Sequence, residues 1–290
     1  MTGILLIDKE QGWTSSDVVA KLRGVLGERR VGHAGTLDPL ATGLLVIMVG
    51  RATKASDYLM KHDKRYIAHL RLGIETDTQD ITGNVVGKVQ SVVSLKDVQG
   101  AAESFTGTIK QIPPMYSAIK RNGQKLYEIA RHGRTVEREA RTITVSSLSV
   151  VGMEGGDYIL DIKCSAGTYV RTLCHDLGTL LGCGGCMSNL RRIASGDFTI
   201  EQAHTIGELV RADSETIEEW ILPLERAFSQ FETLTADDEE RKKLCCGTTV
   251  PTNKSDGKYR VYSSEGNFLM VGRVQNGTLR KEKGFFEGDR

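Results

Sequence analysis

Asp38 is the acidic side chain whose surroundings best suit chemistry. It lies in the segment Gly-His-Ala-Gly-Thr-Leu-Asp-Pro-Leu-Ala-Thr-Gly at residues 32–43, where three glycines and Pro39 surround it. Glycine permits positive φ, and proline fixes its own φ and holds the preceding residue out of the helical region, so the segment predicts a shaped loop. A reactive carboxylate on this loop is one interpretation. The other is an ordinary turn, which composition alone favours.

The elements on either side of Asp38 decide how firmly it is held. An apolar run at 44–49, followed by Gly50, predicts a buried strand. Residues 3–9 predict a first strand, and residues 14–17 offer N-caps for a helix that ends at Gly27. We therefore expect the loop to lie beside a rigid core element, as is usual for a functional side chain on a loop.

Further along the chain, the patterns predict both strands and helices. We expect strands at 66–72, 142–151 and 158–164, and a solvated acidic turn at 75–80. Helices are expected at 95–105, at about 116–131, from a Thr168 cap to about 181, and near 206–211 and 215–222. From about residue 233 one charged helix is followed by short strands, which predicts two domains at 1–232 and 233–290.

Composition places the chain among ordinary globular proteins. It has 290 residues, 39% of them hydrophobic, and a formal net charge of +1. No apolar segment approaches the length of about 18 residues that a membrane span needs, and the N-terminus lacks the basic region of a signal peptide. We expect a cytoplasmic protein that makes no membrane contact.

The six cysteines are spaced too irregularly for a secreted disulfide framework. Cys183 and Cys186 form a C-x-x-C pair, and with Cys174 and His175 nearby they could begin a zinc site. A second C-x-x-C at zinc-ribbon spacing is missing, and the acidic turn lacks the spaced glycine and terminal glutamate of a calcium loop. We therefore expect reduced structural thiols and no bound metal.

One stretch of the chain is strongly basic. Residues 110–141 carry eight basic and three acidic side chains, a net charge of +5 that leaves −4 for the remainder. A concentrated basic segment fits a partner with a phosphate backbone, although a solvated helix face is the alternative. The basic residues are Lys110, Lys120, Arg121, Lys125, Arg131, Arg134, Arg138 and Arg141.

Five segments together give the chain a resemblance to a known family. They are residues 32–43, Asp-Lys-Arg-Tyr at 63–66, Pro-Pro-Met-Tyr-Ser-Ala-Ile-Lys at 113–120, Gly-Thr-Tyr-Val-Arg-Thr at 167–172 and Leu-Arg-Arg at 190–192. In this order they resemble the bacterial tRNA pseudouridine-55 synthase family, the TruB type. The resemblance implies an α+β fold with a mixed, mainly antiparallel central sheet flanked by helices and loops, and a small β-rich, PUA-like RNA-binding module at the C-terminus.

The resemblance also implies roles for individual side chains. Asp38 would attack the flipped uridine at position 55 of the tRNA T-loop, either at C6 of the base or at C1′ of the ribose, with no cofactor. Arg171 would pair with Asp38 and keep it anionic, and Tyr66 would stack on the base and handle its C5 proton. Alone, each of these would be read as a packing or surface residue. The implied substrate contacts are His33, Tyr66, Tyr169, Leu190 and Lys9.

The implied partner is the T-stem-loop of tRNA. Basic side chains of the protein would hold the phosphate backbone of this RNA. These are Lys64, Lys120, Arg121, Lys125, Arg131, Arg134, Arg191 and Arg192. Resemblance to the stand-alone bacterial type implies a monomer with no obligate protein partner. The alternative function is a non-catalytic tRNA-binding or chaperone protein, and the joint presence of Asp38, Tyr66 and Arg171 favours the enzyme.

Overall fold

The computed structural model describes residues 1–90, 92–121 and 123–286. The strands are β1 (Gly3–Lys9), β2 (Val31–Ala34), β3 (Thr42–Val49), β4 (Lys64–Leu72), β5 (Ile74–Thr76), β6 (Val85–Lys88), β7 (Gly107–Gln111), β8 (Lys120–Arg121), β9 (Gln124–Lys125), β10 (Arg141–Glu154), β11 (Asp157–Cys164), β12 (Gly185–Ser195), β13 (Phe198–Thr199), β14 (Glu232–Ala236), β15 (Val250–Pro251), β16 (Gly257–Ser263), β17 (Phe268–Gln275) and β18 (Thr278–Gly284).

The α-helices are α1 (Ser15–Leu26), α2 (Ser56–Leu59), α3 (Leu95–Glu103), α4 (Leu126–Arg131), α5 (Val170–Leu180), α6 (Ile206–Arg211), α7 (Ser214–Trp220) and α8 (Asp238–Cys245). Short 3₁₀ helices lie at Gly50–Ala55, Ile200–Gln202 and Leu224–Phe228. None of the helices in the described ranges is long and apolar enough to cross a membrane.

The larger sheet is mixed and mainly antiparallel, which confirms the predicted fold class. Its strands follow the order β1-β3-β12-β4-β11-β10-β7, with β2 added to β3 and β13 to β12. Strands β3 and β12 run parallel, whereas β1–β3, β12–β4, β4–β11, β11–β10 and β10–β7 are antiparallel. Because β12 lies between β3 and β4, it joins the N-terminal strands to the rest of the sheet.

Helices cover one face of this sheet. Alternate residues of each strand point to that face, as the period of two in a strand requires. They pack with the apolar sides of α1, α3 and α5 into the main core. The members of this core include Leu5, Ile7, Val18, Leu22, Leu45, Ile47, Ala68, Leu70, Val98, Leu160, Ile162, Leu173 and Leu177.

The C-terminal part of the chain covers the other face near β1 and β3, and it contains a second sheet with the order β14-β16-β17-β18-β15. The predicted β-rich C-terminal module is thus present. Phe228, Phe268 and Phe285 form the aromatic part of this contact, with ring centroids 5.3 to 5.7 Å apart. Tyr58 also donates a hydrogen bond to Glu282 at 2.5 Å, so polar and apolar contacts both fasten the module.

The hydrophobic pattern does not predict the strands β2, β5 to β9 and β12 to β15. Strand β12 is the most important of them, since it is an interior strand of the larger sheet and links β3 to β4. Its sequence GCMSNLRRIAS has no clean alternation, because the charged Arg192 occupies an inward position that an apolar residue would normally fill. Because a charged residue is buried in this strand, the sequence pattern does not predict β12.

The expected helix at 116–131 is wrong, because the first part of this stretch forms the β8–β9 hairpin and only α4 is helical. Gly123 has a φ of +83°, which suits a tight turn and not a helix. The expected helix cap also differs. Tyr169 occupies the N-cap position of α5, whereas the Thr168 hydroxyl donates to the carbonyl of Ser165 at 2.9 Å.

Gly43 is required where β3 meets β12. Its φ is +95°, and a Cβ there would overlap the backbone of Arg192. Gly24 offers a contrast, because it is exposed inside α1 and a Cβ there would meet nothing within 4 Å. The two glycines are therefore opposite cases for substitution by alanine.

We predict that Gly43→Ala lowers the free energy of unfolding by about 3 kcal/mol, through backbone strain and overlap with β12. Gly24→Ala should raise it by about 0.5–1 kcal/mol, since alanine is the better helix former. Urea unfolding followed by the fluorescence of Trp13 and Trp220 measures both variants. Equal stability of Gly43→Ala and the unaltered protein would contradict the described packing.

Candidate active site

Asp38 lies on the loop between β2 and β3, as predicted, and the backbone of this loop is held from several directions. The Leu37 amide donates to the Ser15 hydroxyl at 2.9 Å, and that hydroxyl donates to the Leu37 carbonyl at 3.2 Å. The amide of Gly12 donates to the Pro39 carbonyl at 2.8 Å. The Asp38 side chain itself is 42% exposed. The loop therefore presents an accessible carboxylate from a fixed backbone.

Arg171, the second residue of α5, binds this carboxylate. Its Nη2 lies 3.1 Å from Oδ2 of Asp38 and donates to the carbonyl of Tyr116 at 2.9 Å. The Arg171 side chain is only 8% exposed. A planar guanidinium that is mostly shielded from water both attracts a carboxylate and fixes its orientation. The structure thus brings together Asp38 and Arg171, as the resemblance implies.

Asp80 is a second carboxylate on the same guanidinium, and it is not among the site residues predicted from the sequence. Its Oδ2 lies 3.4 Å from Nη1 of Arg171, and its Oδ1 accepts from the hydroxyls of Thr78 and Thr82. The prediction of a solvated turn is wrong here, because Asp80 and Thr76 are buried. Threonines two positions before and after the acid are the sequence signal that indicates a buried carboxylate with its own donors.

Tyr66 on β4 lies close to Asp38. Burial raises the pKa of the Tyr66 phenol, the positive charge of Arg192 opposes this, and the negative charge of Asp38 adds a smaller rise. The phenol therefore keeps its proton in neutral solution. Leu190 is buried on β12, with its backbone opposite Ala68 of β4, so it lies in the same part of the sheet as Tyr66.

His33 and Tyr169 are half-buried residues on elements that border the site. His33 lies on β2, and burial, followed by the charge of Arg192, lowers the pKa of its imidazole. Its Nδ1 is buried and has no hydrogen-bond partner within the described residues. The backbone of Tyr169 is held by the Gln111 side chain, which donates to its carbonyl at 3.0 Å and accepts from its amide at 2.8 Å. Tyr169 is thereby fixed next to Arg171.

Three of the predicted basic contacts are buried, and the structure does not support a direct RNA contact for them. Lys9 is 0% exposed and donates to the carbonyls of Glu10 and Trp13. Lys64 is 6% exposed, and Arg192 is 1% exposed. Both of these side chains also end on backbone carbonyl groups, so they cannot reach a phosphate without rearrangement.

The other predicted basic contacts lie nearer to the surface. Arg191 is partly exposed and forms a bidentate ion pair with Asp8 at 3.0 and 2.7 Å. The ring of Tyr127 has the Lys125 ammonium and the Arg131 guanidinium each 5.3 Å from its centroid. Such contacts hold flexible cations in place. Among the predicted backbone contacts of the insertion, the exposed residues are Lys120, Arg121, Arg131 and Arg134.

The C-x-x-C pair has the environment of structural thiols. Cys183 and Cys186 are buried and unoxidised, and burial raises the pKa of the Cys186 thiol to about 11. A metal ligand needs the opposite shift, toward thiolate. Within the described residues, no group of three or more His, Cys, Asp or Glu side chains is arranged to hold a metal ion.

Lys64 provides a test of these electrostatics. Burial lowers the pKa of its ammonium from 10.5 to about 8. Between these values the unfolded chain keeps a proton that the folded chain releases, so the unfolding free energy rises with pH. We predict that the stability difference between the unaltered protein and Lys64→Met grows in favour of the unaltered protein from pH 8 to 10.5, by at most about 3 kcal/mol. Urea unfolding at several pH values measures it, and a constant difference would contradict the burial.

Comparison with known proteins agrees with this geometry. The tRNA pseudouridine synthase B of Clostridium kluyveri is 43% identical over 278 residues, which covers 94% of this chain and 95% of the relative. The protein of the same name from Haemophilus influenzae strain PittEE is 40% identical over 288 residues, covering 97% and 94%. A solved structure of a Cbf5-Nop10-Gar1 complex contains a chain with 27% identity and a TM-score of 0.76, covering 98% of this chain and 85% of that one.

Family models match most of the first 229 residues. The model described as TruB family pseudouridylate synthase, N-terminal domain, matches residues 23–170 and therefore contains Asp38, Tyr66 and Asp80. The model described as tRNA pseudouridylate synthase B C-terminal domain matches residues 171–229, beginning at Arg171. With the loop, the ion pair and the sheet described above, these matches show that the chain belongs to the TruB family of pseudouridylate synthases.

Proposed function

We propose that this protein isomerises uridine to pseudouridine in tRNA, with Asp38 as the nucleophile. The observation that carries the proposal is the ion pair between Asp38 and the buried guanidinium of Arg171, on a loop that leaves the carboxylate accessible. An ionised carboxylate needs no base to activate it, in contrast to a hydroxyl. Arg171 therefore acts by orienting Asp38 through the ion pair.

The reaction is an isomerisation, so it needs no oxidant, reductant or second substrate. Asp38 attacks the flipped nucleotide at C6 of the base or at C1′ of the ribose. The N1–C1′ bond breaks, the uracil turns within the site, and a C5–C1′ bond replaces the lost bond. The carboxylate is released, the proton on C5 leaves, and N1 takes up a proton, so that the product is an isomer of the starting uridine. A covalent intermediate of this kind divides one difficult step into easier ones.

The aromatic and apolar residues near Asp38 form the base pocket in this proposal. Tyr66 stacks on the uracil and relays the C5 proton, which becomes acidic once C5 is bonded to C1′: the phenol oxygen takes up that proton while its own O–H proton passes to water. The charge of Arg192 assists, because it opposes the rise that burial causes in the pKa of the phenol. Tyr169 and Leu190 would line the pocket, and His33 would lie near the position that the base vacates.

We propose the T-stem-loop of tRNA as the bound part of the substrate, and position 55 as the uridine that reacts. Removing a base from its stack costs a few kcal/mol, and the protein must recover this cost through contacts with the backbone. The basic insertion at 110–141 and a PUA-like module at 233–290 would supply them, next to a catalytic domain at 1–232. We further propose a monomer that works in the cytoplasm without an obligate protein partner.

The test uses a tRNA transcript with tritium at C5 of uridine, since the C5–C1′ bond can form only if that tritium leaves. We predict that the unaltered protein releases it in the presence of EDTA, both from tRNA and from the isolated T-stem-loop. Asp38→Asn should release it at least about 10⁴-fold more slowly, which corresponds to about 5.5 kcal/mol of barrier.

Asp77→Asn is the matched control, because Asp77 is an exposed acid near Asp80 and should leave the rate unchanged. Binding of the transcript without any tritium release would contradict the proposal. It would favour the alternative, a tRNA-binding or chaperone protein that performs no isomerisation.

A further inference from the structure

A row of buried cations lies under the candidate active site. Lys9 of β1 pairs in register with Gly43 of β3, and Gly43 pairs with Arg192 of β12. Arg192 in turn pairs with Tyr66 of β4. Lys64 precedes Tyr66 by two residues and therefore points to the same face of the strand. These cations, Lys9, Lys64 and Arg192, are at most 6% exposed, so they form a positive layer inside the protein.

Two glycines let the layer lie close to the loop that carries Asp38. They are Gly43 in this row and Gly35 at the start of that loop. Gly43 has no side chain to separate Lys9 from Arg192. A Cβ on Gly35 would lie 3.3 Å from Nη1 of Arg192 and 3.8 Å from Cε of Lys64. The two cations therefore lie directly against the chain, three residues before Asp38.

Backbone carbonyl groups, and not carboxylates, hold the three cations. Within the described ranges none of the three forms an ion pair with aspartate or glutamate. A carbonyl dipole satisfies hydrogen bonding without cancelling the charge. The carbonyl acceptors are Glu10 and Trp13 for Lys9, Met60 and His62 for Lys64, and Gly35 and Leu44 for Arg192.

The site as a whole therefore carries an excess of positive charge. Arg171 and the three buried cations carry four positive charges, and the carboxylates near them are those of Asp38, Asp80 and Asp63, which leaves a net charge of +1. Burial lowers the pKa of both lysines to about 8, so at pH 7 they still carry their protons. Buried charges without a counter-charge are costly, and they are kept where a function uses them.

We propose that Lys9, Lys64 and Arg192 stabilise the negative charge that the uracil acquires when the N1–C1′ bond breaks. This inference rests on the proposed function. Whether Asp38 attacks C6 or C1′, the electron pair of the N1–C1′ bond stays with the base, where it spreads over the ring onto O2 and O4. When C5 bonds to C1′, the base gives that pair to the new bond and becomes neutral. The C5 proton then leaves and N1 takes up a proton, so the base stays neutral.

The layer acts through its field, because the three side chains end on carbonyl groups and do not touch the substrate. A fixed charge that is already in place when the base becomes anionic needs no reorganisation, which is the most effective form of electrostatic stabilisation. The exposed cations of the insertion suit the opposite task of attracting phosphates. The buried layer therefore favours the anionic base over the neutral one, which affects the rate and not the binding.

The test compares uridine with 5-fluorouridine at the reacting position of a tRNA transcript, under single turnover with saturating protein at pH 7. Fluorine withdraws electrons and stabilises the anionic base by itself. We expect Lys64→Met and Lys9→Met to slow uridine conversion about 30-fold, equivalent to about 2 kcal/mol. The rate at which 5-fluorouridine is consumed, measured after nuclease digestion, should fall by less than about 5-fold, which corresponds to about 1 kcal/mol of barrier.

The affinity for tRNA should stay within about twofold, and Lys163→Met, which removes an exposed lysine of β11, should change neither rate. Unfolding midpoints show whether each lysine variant is folded, and one folded variant is enough for the test. Equal slowing of both bases would overturn the proposal and leave the cations with a structural role only. An unchanged rate with weaker tRNA binding would also overturn it. If the unaltered protein converts neither base, the proposed function itself fails.

Discussion

The position of Arg171 between two carboxylates is the constraint on which the site depends. Its guanidinium contacts Asp38 on one side and Asp80 on the other, and Asp80 is itself held by threonine hydroxyls. A buried arginine with a single partner could move with that partner. A second, buried partner fixes the arginine, and the accessible carboxylate is then oriented by a rigid group.

The larger sheet explains how residues far apart in the sequence reach this arrangement. The parallel contact of β3 with β12 places the end of the Asp38 loop against Arg192, and β12 then pairs with β4, which carries Tyr66. Gly43 permits the contact because a side chain there would overlap β12. The fold thus converts three separate motifs into one row across neighbouring strands, with helices on one face and the C-terminal module on the other.

Those parts of the fold in which the local sequence pattern agrees with the structure could be predicted from the sequence. Residues 3–9 and 44–49 are continuous apolar runs, and Thr14 caps α1 as its residue type indicates. Strand β12 and the roles of Asp80, Lys64 and Arg192 could not be read in the same way. Burial of a charged group follows from partners that are distant in the sequence, and local patterns assign such groups to the surface.

The most direct test of the account is a double-mutant cycle between Arg171 and Asp80, measured as the single-turnover rate of tritium release from C5. We predict that Arg171→Lys and Asp80→Asn each slow the reaction, and that the double variant is about as slow as Arg171→Lys alone, because Asp80 acts only through the arginine. If the two losses multiply in the double variant, Asp80 acts independently, and the arginine held between two carboxylates is not the constraint that organises the site.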